Sequence, residues 1–202
     1  SPLTGVFYVS SLVAEANVFD LLQGSINRIK RMEKSAWGKL HGTGDNVIIS
    51  AGDAANISGI PNSSVDYIFT DPPFGENIYY SDLNYLVESW YGVISDANPE
   101  AIVDRVKNKG IPEYQRLMHS CFAEYYRVLK PGRWMTVVFS NSRAAVWNAI
   151  QVALQQVGFV VAEVTTLDKV HLSFQQVVSP NAIKQDLVIS AYKPNGGLED
   201  RF

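Results

Sequence analysis

The sequence predicts an α/β fold of three layers, with helices on both faces of a largely parallel sheet. Short apolar runs rich in β-branched residues, such as "NVIIS" (46–50) and "VDYIFT" (65–70), alternate with stretches whose apolar residues recur at helical spacing. Glycine and proline mark the joins. Two polar motifs, "GDA" and "DPPF", directly follow strands, which is where sheets of this kind hold their ligands.

Residues 1–40 read as a helical lead-in. Ser1-Pro2 is a usable start, and Val18, Leu21, Leu22, Ile26 and Ile29 form an amphipathic face. The earlier "GVFYVSSLV" suits helix or strand, with helix preferred. The sheet region runs from 46 to 194, with 195–202 as a tail. After "NVIIS" and "VDYIFT", a helical region with loops covers 81–130, where Leu117, Cys121, Tyr125, Val128 and Leu129 share a face. "PGRWMTVVFS" (131–140) is a turn and a buried strand, and 144–158 is a helix stopped by Gly158. "FVVAEVTTL" and "DLVISAYKP" are two last strands; no helix joins them, which suits an antiparallel pair.

A chain of 202 residues suits one domain, and 47% hydrophobic with 18% charged residues is an ordinary globular composition. No apolar run approaches the roughly 20 residues of a membrane span. The single cysteine, Cys121, excludes an intramolecular disulfide, and with His119 and His171 it gives no metal-ligand spacing, so no metal is expected. A reducing, cytoplasmic setting fits. A net charge of −3 permits a nucleic-acid partner without indicating one. The basic stretch 27–39, with Arg28, Lys30, Arg31, Lys34 and Lys39, reads as a solvated helix face.

The chemistry concentrates in Asp71-Pro72-Pro73-Phe74. Two prolines end a strand, because neither donates an N–H and both fix φ. Asp71 brings an acceptor, the Pro72 carbonyl a second one, and Phe74 a flat face. Two fixed acceptors beside an aromatic plane suit a planar group bearing an –NH2. Accepting both N–H bonds frees the nitrogen lone pair from conjugation, so that a poor nucleophile can attack an activated methyl.

This block resembles the signature of S-adenosylmethionine-dependent methyltransferases that modify exocyclic amino groups of DNA bases. The likeness extends through "GDAANISGIPNSSVDYIFTDPPFGENIYYSDLNYLVESWYGV", "CFAEYYRVLKPGRWMTVVFSNSRAAVWNAIQVALQQVGFVV" and "KQDLVISAYKP", which are similar to a large bacterial family of adenine-specific DNA methylases. The resemblance implies a Rossmann-like methyltransferase fold, S-adenosylmethionine as cofactor and DNA as partner, in a restriction-modification setting. It implies that Asp71 and Pro72 accept from the amine of a flipped base, with Pro73 as part of the rigid holder, while Phe74 stacks on the base. Adenine N6 is favoured over cytosine N4, because cytosine enzymes more often carry Ser or Thr in place of the aspartate. Asp53, with Ala54 beside it and Asp71, would contact the cofactor. Read alone, an aspartate after glycine is as readily a turn residue. Phe174, between the last two strands, would face the flipped base or else tuck onto the core. Tyr79 and Tyr80 read as packing residues.

The glycine-rich turn that such enzymes use for the cofactor is missing from these residues: "HGTGDN" leads into a strand and "PNGGLED" has no element after it. The chain is therefore expected to be the C-terminal portion of a methyltransferase domain, lacking the first strands. It is expected to bind cofactor weakly, to turn over little, and to be open to self-association through exposed sheet edges. The alternatives are a non-catalytic methyltransferase-like module that binds DNA or a partner, or amino methylation of RNA or a protein amide. The stretch 91–113 is read as a mobile loop, and is the one candidate for a recognition region.

Overall fold

In a computed structural model of the chain, the structure describes residues 17–32, 34, 48, 50, 52–76, 79–104, 106–141, 143–168 and 185–197. The chain divides into two units, Ser1–Ala51 and Gly52–Phe202.

In the first unit the expected lead-in is seen as α1 (Val18–Met32). Asn17 starts it: its side-chain oxygen accepts the Phe19 amide at 2.9 Å and its carbonyl accepts the Leu21 amide at 3.1 Å. Asp20 in the first turn and Lys30 and Arg31 in the last match the helix dipole. "GVFYVSSLV" and most of the expected strand 46–50 lie outside the described residues, and Ile48 and Ser50 belong to no strand.

The second unit holds one sheet. Its elements are β1 (Val65–Thr70), α2 (Tyr80–Tyr91), α3 (Ile111–Val128), β2 (Leu129–Phe139), α4 (Ala144–Val157), β3 (Val160–Asp168) and β4 (Gln185–Tyr192). The strand order is β1-β2-β4-β3. β1 pairs parallel with β2, while β4 runs antiparallel to both β2 and β3. Three strands thus share one direction and β4 is reversed, so the sheet is mostly but not purely parallel. The last two strands form the expected antiparallel pair, with Thr165 opposite Val188.

The core lies on one face of this sheet. Met135, Val137 and Phe139 of β2, with Ile189 and Ala191 of β4, point into it at the period of two that a strand dictates. Against them α3 packs Tyr114, Met118 and Phe122, and α4 packs Val146, Ala149, Ile150, Ala153 and Leu154, the spacing of one helical stripe. The opposite face shows Phe69 and Trp134 to solvent. The described helices of this unit that pack on the sheet, α3 and α4, form one layer, so the second helical layer expected from the sequence is not among its described elements. Gly158 stops α4 as expected: its φ of 107° is open to glycine, and its amide returns to Leu154 and Gln155.

Lys193 ties the sheet to the end of α3. Its ammonium donates to the Tyr126 carbonyl at 2.8 Å and the Leu129 carbonyl at 2.9 Å, and lies 4.6 Å from the Tyr126 ring centre.

Candidate active site

Because β1 and β2 are parallel, the residues after both strands emerge at the same end of the sheet. Asp71 follows β1 and Asn141 follows β2. Asp71 is exposed, Pro72 is buried, and Pro73, Phe74 and Glu76 are half-buried. The proline pair is thus wedged against the protein while the carboxylate in front of it stays at the surface.

The turn after the prolines is held through its carbonyls. Tyr114 of α3 donates its hydroxyl to the Pro73 carbonyl at 2.7 Å. Asn141 Nδ2 donates to the Phe74 carbonyl at 2.5 Å. The Val103 amide donates to the Gly75 carbonyl at 3.1 Å. The Pro72 carbonyl receives no hydrogen bond among the described residues. Of the four consecutive carbonyls at 72–75, those of 73, 74 and 75 are taken by described residues and that of Pro72 is not.

The Phe74 ring meets Phe139 edge-on, 5.4 Å between centres at 81°, and packs on the core. That contact fixes the ring plane from behind. Gly75 has φ of 82°, and a Cβ there would lie 3.2 Å from Val146 Cγ1 and 3.3 Å from Asn141 Nδ2, so only glycine fits. Arg143 Nη1 holds Glu76 at 2.7 Å beside the turn.

One face of α3 backs the whole site. Tyr114, Cys121 and Tyr125 are spaced by seven and four residues along it, close to whole helical turns. Tyr114 reaches Pro73. Burial pushes its phenol far above the ordinary tyrosine range, with the Cys121 thiol adding to the rise and the Gly75 backbone opposing it. Tyr125 is raised by burial and eased by the Thr70 hydroxyl, one residue before Asp71. The Cys121 thiol is pushed up to about 11, mainly by burial and then by the charge of Asp53. The same helix thus contacts both the DPPF turn, through Tyr114, and the loop that follows Asp53, through Glu124.

Asp53 is exposed, and Ala54 beside it is half-buried. The Asp53 carboxylate accepts the Ala55 amide at 2.8 Å through Oδ1, and its carbonyl accepts the Asn56 amide at 3.0 Å. This is an Asx turn, the local role that the residue type predicts, and it leaves Oδ2 available. The loop behind it is clamped to α3. Glu124 Oε2 accepts the Ile57 amide at 3.0 Å, while Arg127 donates to the Ile57 and Ile60 carbonyls and to Asn62.

The stretch expected to be a mobile loop is fastened instead. Ile102 and Val103 are buried, Asp104 and Lys109 form a backbone bridge, and the Lys109 ammonium donates to the Ala97 and Glu100 carbonyls. A buried lysine needs such acceptors, and two carbonyls brought together by the bridge supply them. This excursion also feeds the site twice, through the Val103 amide on Gly75 and through Glu100, which caps α2.

Tyr80, expected to be a packing residue, sits at the first position of α2 beside the turn. Burial raises its hydroxyl, and the charges of Asp71 and then Glu100 raise it further. It is therefore an electrostatic neighbour of Asp71. Phe174, His41 and His171 lie outside the described residues. Among the described residues no group of three or more His, Cys, Asp or Glu is placed to hold a metal ion, and no helix is long and apolar enough to cross a membrane.

Sequence reasoning missed Tyr114, Asn141 and Glu100. Tyr114 lies three residues before Leu117 on the face already marked as apolar, and Asn141 occupies the same strand-end position that drew attention to Asp71. Those were the available signals.

An aspartate and an open proline carbonyl at one strand end of an α/β sheet suit a group-transfer site for an amine. The DNA methylase family model N6_N4_Mtase matches residues 65–195, more than half of the sequence, and the chain belongs to that family. No curated protein matches the chain. Among solved structures it is similar to a protein of Thermus thermophilus assigned as a DNA modification methylase, with 19% identity over 72% of this chain and 52% of that one and a TM-score of 0.43. It is also similar to the cytosine-N4-specific PvuII DNA methyltransferase, with 16% identity over 71% and 49% and a TM-score of 0.45. The complex of M1.HpyAVI with S-adenosylmethionine matches at 17% identity over 71% and 53%, with a TM-score of 0.37. The chain spans about half the length of these DNA-methylase structures.

Proposed function

We propose that the chain carries the amine-gripping half of a DNA amino-methyltransferase that acts in the cytoplasm on a base flipped from the duplex, with adenine N6 as target. One observation carries the reading. At the carboxyl end of β1 the Asp71 side chain stays at the surface, and the next carbonyl, that of Pro72, remains open while those of residues 73–75 are tied down.

The acceptors work as follows. A carboxylate oxygen of Asp71 and the carbonyl oxygen of Pro72 each accept one N–H of an exocyclic –NH2. Both bonds draw the nitrogen toward tetrahedral geometry and aim its lone pair away from the ring. Asp71 also stabilises the positive charge that grows on nitrogen during attack, and it is preorganised to do so. Phe74, its ring plane set by Phe139, is the stacking surface for the base, and Phe174 is a second one.

S-adenosylmethionine supplies the activated methyl. Its site on this chain is the Asp53 turn, where Oδ2 and the neighbouring Ala54 suit the amino edge of an adenine. The clamp of Glu124 and Arg127 holds that turn in place.

The test, made in the full-length protein, is methyl transfer from labelled S-adenosylmethionine to duplex DNA, followed by nucleoside analysis. N6-methyladenine is expected, and Asp71→Ala should abolish it. N4-methylcytosine would replace adenine as the target. Label in RNA or protein and none in DNA would replace the substrate class, and unchanged adenine methylation in Asp71→Ala would sink the assignment of the site.

A further inference from the structure

We infer that Tyr114 and Asn141 are positioning residues: by taking the carbonyls of Pro73 and Phe74 they lock the turn in the conformation that leaves the Pro72 carbonyl open beside Asp71. The inference rests on the amine-gripping reading for what the presented acceptor does, but not for the tethering itself.

The argument starts from the dihedrals. Prolines 72 and 73 have fixed φ, so the directions of their own carbonyls depend on ψ alone, while that of Phe74 depends on both of its dihedrals. The Pro73 ring holds ψ of Pro72 in the extended range, and neither proline offers an N–H, so no ladder bond through them orients the Pro73 and Phe74 carbonyls that follow. Donors must come from elsewhere in the fold, and they come from two separate elements. The Tyr114 hydroxyl reaches across 41 positions and the Asn141 amide across 67.

Both donors are themselves immobilised. Tyr114 is 0% exposed, its ring packed in the core of α3. The Asn141 side-chain oxygen accepts the Arg143 amide at 2.7 Å, which fixes which end of its amide faces Phe74. β2 in turn is registered on β1, with Val137 opposite Thr70, so Asn141 arrives at a set height beside the turn. A turn that merely ended a strand would satisfy such carbonyls with water. Here two rigid donors aim at neighbouring carbonyls, and the residue before them is left unpartnered among the described residues.

A competing account has the Pro73 carbonyl serving only to satisfy a buried phenol. Two near-isosteric variants separate them. Tyr114→Phe keeps the ring and deletes the hydroxyl. Asn141→Asp keeps the acceptor for the Arg143 amide and deletes the donor to Phe74. Ile150→Val, in the core on α4, is a matched loss of packing away from the turn. Each is assayed for methyl transfer at saturating DNA and S-adenosylmethionine. Each is also labelled with carbonyl-¹³C proline and ¹⁵N phenylalanine, which isolates Pro73–Phe74, the one Pro–Phe pair in the sequence.

In Tyr114→Phe and Asn141→Asp, kcat should fall about tenfold, with KM for DNA within about twofold of the parent. The Pro73–Phe74 resonance should shift and broaden. Ile150→Val should keep the parent kcat and resonance. A Tyr114→Phe protein with parent kcat, or one that loses no more than Ile150→Val at equal loss of stability, overturns the inference. If the unmodified protein methylates no DNA amine, the functional reading fails, and the resonance alone decides: unmoved in Tyr114→Phe, it overturns the tethering. Should Tyr114→Phe not fold, Asn141→Asp carries the same two readouts, and parent values in it overturn the inference in the same way.

Discussion

Glu100 Oε1 accepts the backbone amide of Tyr80 at 2.7 Å, so a carboxylate 20 residues downstream caps the first turn of α2. It also accepts the Ser81 amide at 3.3 Å and, through Oε2, the Ser81 hydroxyl at 2.7 Å. Tyr79 at the N-cap position makes no side-chain cap bond to the helix, and Glu100 supplies the cap. Glu100→Ala should cost α2 about 0.5–2 kcal/mol, the usual range for a lost cap. Hydrogen exchange checks this: amides 80–84 should speed up, while those of α3 and α4 hold.

Gly75→Ala should destabilise the second unit by about 1–3 kcal/mol, because a side chain at positive φ is strained and the space is filled. The added methyl would press on Val146 and on the Asn141 amide that holds Phe74. Urea unfolding measures the loss, and methyl transfer should fall further than the loss of folded protein explains.

The loop at 57–62 should come off α3 in acid before the core melts. The Arg127 guanidinium holds the Glu124 carboxyl below its ordinary value of 4.5, with the Ile57 amide helping. A depressed acid stabilises the fold above its unfolded pKa, and that contribution is lost as pH falls through the lowered folded value. Amide exchange across 52–62, corrected for its intrinsic pH dependence, should therefore rise as pH drops below about 4.5. Arg127→Lys should reproduce the release at neutral pH, since an ammonium cannot fork to Ile57, Ile60 and Asn62 together.

Cys121 should resist alkylation. With the thiol raised from 9.0 to about 11, the thiolate at pH 8 is about a hundredfold scarcer than in an unfolded chain. Iodoacetamide labelling of the folded protein should slow by at least that factor. Asp53→Asn should partly restore it by removing the nearby charge, which makes the thiol a reporter for Asp53. For stability the sign is the reverse of the Glu124 case: the contribution is complete below about pH 9 and is lost as pH rises through about 11.

The strands were legible because each is a run rich in β-branched residues with a glycine or proline inside it or close to one end. "VDYIFT" became β1 residue for residue, and 144–158 became α4 less its capping glycine. The face of α3 was legible from its period. The turn stood out as a candidate site because Asp-Pro-Pro-Phe is rare and sits at a strand end. What holds the turn was not legible. A side chain that bonds to a backbone carbonyl 41 or 67 positions away leaves no local pattern. Nor does the polar composition of "SDANPE" distinguish an anchored excursion from an open one. The stretch 91–113 read as mobile for that reason, although Lys109 and Val103 pin it. The exposure of Phe69 and Trp134 was hidden as well, since both look in sequence like core residues.

The long reach of the two tethers bears on how the protein matures. Contacts between residues so distant in sequence carry a large loop-closure entropy and form late. Tyr114 and Asn141 can place their donors only once α3 and β2 are docked beside β1, so the turn is expected to take shape late in folding. A nascent or partly melted chain would hold its helices and still lack a competent grip. The geometry of the turn then becomes a readout of completed folding.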